Sequence, residues 1–215
     1  MVKTACQSEA GFQRYKLLKS VMVGRVGSAA YPGKIRVNNL ALQVDDVAAA
    51  VAVAAAPPFL VFLMLAWPGS APRRVLVHLS PETPRGRQFL LLCTGQRGPC
   101  YNGTRLFEVG RKEEPGEFVS GGDYEQNNGK GGAALLPDLD KGVYGESLMA
   151  GDVWGWWCGD PALAAQFFII TTDLPGCSVP GVFGKVVGGL DVVQEAARHH
   201  PITEVTVVDC GVVVD

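Results

Sequence analysis

Few residues in this 215-residue chain suit metal chemistry. There are three histidines (His78, His199 and His200), and none of the six cysteines (Cys6, Cys93, Cys100, Cys158, Cys177 and Cys210) forms a CxxC pair. A zinc site is therefore not expected, and neither is any other metal or cofactor. No basic block is present, and the net charge is −2, which argues against an electrostatic nucleic-acid binder. The cysteine spacing does not resemble a small disulfide framework and no signal peptide opens the chain, so a reducing compartment, cytoplasmic or nuclear, is expected. The alternative is that the even cysteine count means pairing. Charged residues make up 19% and apolar residues 47%, which allows a sizeable core and excludes global disorder. The 27 glycines and 14 prolines favour turns and short strands over long helices.

A single long uncharged run, residues 47 to 67 ("VAAAVAVAAAPPFLVFLMLAW"), is about long enough to cross a bilayer. Its first half is mostly alanine, and Pro57-Pro58 divides it. Two separate soluble elements are the expected reading, and a membrane anchor is the alternative. Residues 1–57 read as an extension with helical signals: Phe12, Tyr15 and Leu18 stand three apart, and "ALQVDDVAAAVAVAAA" is rich in alanine. The extension carries no chemical motif and reads equally well as a linker.

From Phe59 the texture changes to short strands and turns. "FLVFLMLAW", "PGSAP" and "RRVLVHL" predict a hairpin, with Val75, Val77 and Leu79 on one face and Leu76 and His78 on the other. "ETPRGRQFLLLCTG" predicts a helix with Thr83 as N-cap, Pro84 at the first helical position, Phe89, Leu92 and Cys93 buried, and Gly95 at the end. A second helix is expected at "LDVVQEAARHH", capped by Asp191, and a buried strand at "EVTVVDCGVVV". This element order predicts a mainly β protein, a closed barrel with a helix at each end.

Four motifs follow in order: "FVSGGDYEQNNGKGG", "QFFIIT", "VFGKVVGGLDVV" and "VVDCG". With "LLCTG" and "CYNGTRLF", they resemble the cyclophilins over residues 58–215. The resemblance implies a closed eight-stranded antiparallel barrel capped by two helices, a groove for X-Pro peptides, and prolyl cis/trans isomerase activity. Isomerisation must overcome roughly 18–20 kcal/mol of amide resonance. The resemblance implies that an arginine helps by donating to the prolyl nitrogen, beside an aromatic pocket for the ring.

Carried across residue by residue, this set is largely replaced. Glu108 stands where the arginine is implied, and an ionised carboxylate offers no donor. Arg111, in the insertion "GRKEE", is the candidate substitute, although an insertion loop rarely reproduces a rigid geometry. Glu117, Phe118 and Ser120 fall where a phenylalanine, a methionine and a glutamine are implied, and Trp156 and Trp157 where small or polar residues are implied. Gln166 and Phe168 are kept, the latter as the implied floor of the proline pocket. The loop "DLPGCSVPG" has neither of the implied tryptophan and histidine, and puts Leu174, Pro175 and Pro180 there instead. The resemblance also places Cys158 and Cys177 in neighbouring loops, where they would be able to pair.

The expected function is thus a catalytically inactive or very weak cyclophilin-like interaction module, a pseudoenzyme that binds a protein or proline-containing peptide. The alternative is an active peptidyl-prolyl isomerase.

Overall fold

The hairpin read from the sequence lies inside the sheet, between the last two long strands. In the computed structural model, which describes residues 35–37, 59–80, 82–140, 147–155, 160–177, 179 and 181–214, strand β2 (Phe59–Ala66) pairs antiparallel with β3 (Arg73–Leu79). Burial alternates along β3 as expected, with Val75, Val77 and Leu79 fully buried. The apolar run from Phe59 is thus a strand, and among the described residues no helix is long and apolar enough to cross a membrane. Strand β1 (Ile35–Val37) is all that is described of residues 1–57, and its backbone pairs with the last strand. The helical expectations for that extension lie outside the described residues.

Helix α1 (Pro84–Thr94) begins and ends where the sequence signals stand. Thr83 Oγ1 accepts from the Gly86 N–H at 3.0 Å, and Gly95 closes the helix at φ 68° with its N–H on Leu91 O. Such an N-cap is worth about 1 kcal/mol. Helix α2 (Leu190–Arg198) departs from the expectation at its cap. Gly189 holds that place at φ 78°, and Asp191 lies inside the first turn. The tight exit from the preceding strand needs the left-handed backbone that glycine adopts without strain. A Cβ there would also collide with Arg74 O.

The remaining strands are β4 (Glu108–Gly110), β5 (Phe118–Gly121), β6 (Asp152–Gly155), β7 (Phe167–Ile170), β8 (Val182–Gly188) and β9 (Thr206–Val214). They form one antiparallel sheet in the order β1-β9-β2-β3-β8-β6-β7-β5-β4, with eight strands after residue 58. The closed barrel expected from the sequence does not form; the sheet curls into a half-barrel whose end strands, β1 and β4, do not pair. Residues 103–107 span the seam. Gly103 N donates to Val207 O (2.7 Å), Leu106 N to Val205 O (2.9 Å) and Phe107 N to Ser120 O (3.0 Å), around a single bridge between Arg105 and Thr206. The seam lacks a full strand pair because Gly103 turns the chain at φ 83° and regular pairing begins only at Glu108.

The concave face carries the core. Phe89 from α1 meets Tyr101, Phe167 and Phe183 with ring centroids 5.0–5.4 Å apart. Val119, Val153 and Ile169 point the same way, from three neighbouring strands. Burying each such side chain contributes roughly 1.5–3 kcal/mol. Helix α2 seals its side through Val192, Val193, Ala196 and Ala197.

Candidate peptide-binding groove

Side chains alternate along a strand, so the residues next to those core positions face outward. Register then sets one row across four strands: Glu108 opposite Ser120, Ser120 opposite Phe168, and Phe168 opposite Trp154. The row carries a carboxylate, a hydroxyl, a phenyl ring and an indole. Ser120 is fully buried and its Oγ donates to Glu108 Oε2 at 3.3 Å, while Glu108 itself is exposed.

The aromatic end is tightly filled. Trp154 stacks on Phe168 with centroids 4.3 Å apart and planes 23° from parallel. Phe118, one step along β5, meets Phe168 edge-on at 5.4 Å and Trp154 at 6.2 Å. These are the offset and T-shaped arrangements that aromatic quadrupoles favour. Phe118 reaches this position because Gly110, directly opposite, leaves its own outer side open. Any Cβ on Gly110 would collide with the Phe118 ring. Phe168 is left 2% exposed, so a ring implied as a pocket floor is covered.

The other residues singled out from the sequence take different places. Gln166 does not reach toward the row. Its Nε2 donates to Gly129 O (2.9 Å) and Gly131 O (2.8 Å), tying down the loop after β5. Leu174 bridges Leu148 and packs on Gly116, and Pro175 beside it is exposed; both stand in the loop after β7, off the row. Arg111 is exposed in the turn after β4, at φ 51°, with its carbonyl accepting from Glu114 N. Trp156, Trp157, Pro180 and Cys158 lie outside the described residues. Trp154, opposite Phe168 on this row, is not among the residues singled out from the sequence. Alternation in "DVWG" gives the indole one face of β6, but the register that sets it opposite Phe168 comes from the pairing of β6 with β7.

Two anchoring carboxylates shape the surroundings. Asp123 is fully buried and accepts from the backbone N–H groups of Glu125, Gln126, Asn128, Gly129 and Gly131. Burial pushes this carboxyl up, but the N–H donations outweigh it, and the group is held below its ordinary value. Glu117 accepts from Thr171 Oγ1 (2.7 Å) and from the Glu113 N–H (2.9 Å), which fixes the insertion loop. Beyond this loop opens a cleft of about 610 Å³ between Lys112, Glu113, Glu114, Asp173 and Arg198. None of the four row residues lines it. Among the described residues no group of three or more His, Cys, Asp or Glu is placed to hold a metal ion.

Chemically, the row offers an apolar aromatic surface and an acceptor. Glu108 has no proton to give when ionised, and the Ser120 hydroxyl is already committed to it.

Comparison with known proteins agrees with this architecture. The chain is 29% identical over 146 residues to the NK-tumor recognition proteins of Mus musculus and Homo sapiens, across 59% of its own length and 10% of theirs. It is 29% identical over 142 residues to a peptidyl-prolyl cis-trans isomerase of Encephalitozoon cuniculi, across 61% of its own length and 79% of that protein's. No protein-family model matches. A mainly β half-barrel with two helices, and relatives of this kind, support a likeness to a divergent cyclophilin-like domain. The chain spans about a tenth of the length of the NK-tumor recognition proteins that it matches.

Proposed function

We propose that this cyclophilin-like domain, taken as residues 58–215, is a protein-interaction module with little or no prolyl isomerase activity. It binds a protein or a proline-containing peptide in a reducing compartment, cytoplasmic or nuclear. The observation that carries the reading is Glu108. It lies on the register row where the resemblance implies an arginine donor, and it supplies an acceptor hydrogen-bonded to Ser120 instead. A carboxylate repels the lone pair that localises on the prolyl nitrogen as the amide twists, so it opposes the transition state. The match to a tenth of two long relatives is consistent with such a domain working within a larger protein. The alternative, an active isomerase, is favoured by the relative that carries that name.

Exchange NMR on a short X-Pro peptide separates the two. Under the proposal, the chain leaves the cis/trans exchange rate at its uncatalysed value. Catalysed exchange by the unmodified chain would overturn it, and Arg111→Ala would then test whether Arg111 supplies the donor.

A further inference from the structure

Two sulfurs from distant parts of the chain touch inside the core. Cys100 stands just before the segment that spans the seam, and Cys210 stands on β9. Their Sγ atoms lie 3.7 Å apart, although 110 residues separate them in sequence. Cys210 is fully buried and Cys100 is 9% exposed. Both are held by the backbone around them. The Tyr101 N–H, next to Cys100, donates to Leu92 O at 2.9 Å, and the Asn102 N–H donates to Cys100 Sγ at 3.3 Å. Cys210 pairs with Leu63 across β9 and β2, and its Sγ donates to Cys93 O in the last turn of α1 at 3.3 Å. Both cysteines stand as thiols. A disulfide needs its sulfurs about 2.0 Å apart, so rotations within two short side chains close the gap.

We infer that Cys100 and Cys210 are a disulfide site, which fastens the seam when the chain folds in the presence of a small-molecule disulfide. Neither cysteine belongs to the row from Glu108 to Trp154, so the site is independent of the peptide reading. The thiolate of one cysteine attacks the small disulfide, which forms a mixed disulfide and releases one thiolate. The thiolate of the other cysteine then attacks the protein-side sulfur, which forms the Cys100–Cys210 bond and releases the second. The cysteine pair gives up two electrons and two protons, and the small disulfide leaves as two thiols. In the finished fold thiolate is scarce, because contact with the Cys210 sulfur, and burial, push the Cys100 thiol up. The exchange therefore belongs to folding, while both sulfurs are open to solvent, and the fold then shields the bond. In a reducing compartment the same pair stays as two thiols. The bond ties the approach to the seam onto β9, near the single bridge between Arg105 and Thr206. Closing so long a loop removes chain entropy from the unfolded state, so the linked chain resists unfolding.

The test is oxidative refolding of the full chain. The chain is unfolded with its thiols reduced and refolded in a mixture of reduced and oxidised glutathione. Remaining thiols are alkylated, and peptides are mapped without reductant. The expected product carries a Cys100–Cys210 cross-link and unfolds at a higher urea midpoint than the reduced chain. Cys100→Ala and Cys210→Ala, each compared with its own reduced form, are expected to lose that oxidant-dependent shift, whereas Cys177→Ala keeps both the link and the shift. A folded, oxidised chain without the Cys100–Cys210 link overturns the inference, including one that joins Cys93 to Cys210 instead. A Cys100–Cys210 link that leaves the urea midpoint unchanged overturns the fastening role. If oxidative refolding yields no folded chain, the folded reduced chain is held in the same glutathione mixture with urea below its midpoint, where opening exposes the thiols. The same peptide map is then read by the same criteria.

Discussion

Trp154 and Phe168 face each other across β6 and β7 with their rings 4.3 Å apart, and the buried indole N–H finds no acceptor among the described residues. Replacing the indole by a phenyl ring removes that donor and keeps much of the stacking. Trp154→Phe should therefore change stability by less than about 1.5 kcal/mol, since the relieved donor offsets lost contact. Trp154→Ala should cost at least about 2 kcal/mol. Urea unfolding midpoints of the two variants measure the difference.

Gly110 is the silent half of the same surface. Its φ is ordinary, so the demand for glycine here is purely steric: a methyl group would strike the Phe118 ring. Gly110→Ala should push Phe118 off its contacts with Phe168 and Trp154 and cost about 1–3 kcal/mol. Calorimetric melting, with NMR shifts of the Phe118 ring as the local readout, would check this. Unmoved ring shifts would contradict it.

The Asp123 hub predicts an acid-sensitive loop. Its carboxyl is held low in the fold, so its contribution is present above the unfolded carboxyl range, about pH 3.9, and is lost as pH falls through the lower folded value. Asp123→Asn turns an amide N–H₂ toward N–H donors and should cost about 1–3 kcal/mol at neutral pH. The variant should also lose less stability than the natural chain when the pH is taken from about 7 to about 3. Urea unfolding at the two pH values gives both numbers.

The thiols should differ sharply in reactivity. Cys93, Cys100 and Cys210 are buried. Contact with the Cys210 sulfur at 3.7 Å, and burial, push the Cys100 thiol well above its ordinary range. Thiolate is the reactive form, so an alkylating reagent at neutral pH should modify half-exposed Cys177 and leave these three until the chain unfolds. Peptide mapping after alkylation reads the order directly.

Much of the scaffold was legible from the sequence because its signals are local. Thr83, Pro84 and Gly95 bound α1 by rules that act within one turn, and the Phe59–Leu79 hairpin follows from alternation on either side of a Pro-Gly turn. Errors came where a distant element decides. The Asp191 cap failed because the exit from β8 needs a left-handed residue, which Gly189 supplies. The closed barrel failed because residues 103–107 cross the seam as a turn with one bridge. Gln166 shows the same dependence on distant elements: its amide meets carbonyls 35 and 37 residues away, which no local pattern specifies. Trp154 escaped notice for a related reason. Its role depends on which residue of β7 the register puts opposite, and a single strand does not specify that.

The pairing of β2 with β9 also dictates an order of events. Val61 meets Val212 and Leu63 meets Cys210, so one edge of this hairpin is completed by a strand far along the chain. On a ribosome, β2 and β3 would pair early and then present an apolar strand edge until β9 emerged. Contacts this far apart in sequence slow folding, because a long loop must close before any stabilisation is gained. During that interval the β2 edge is open to wrong partners.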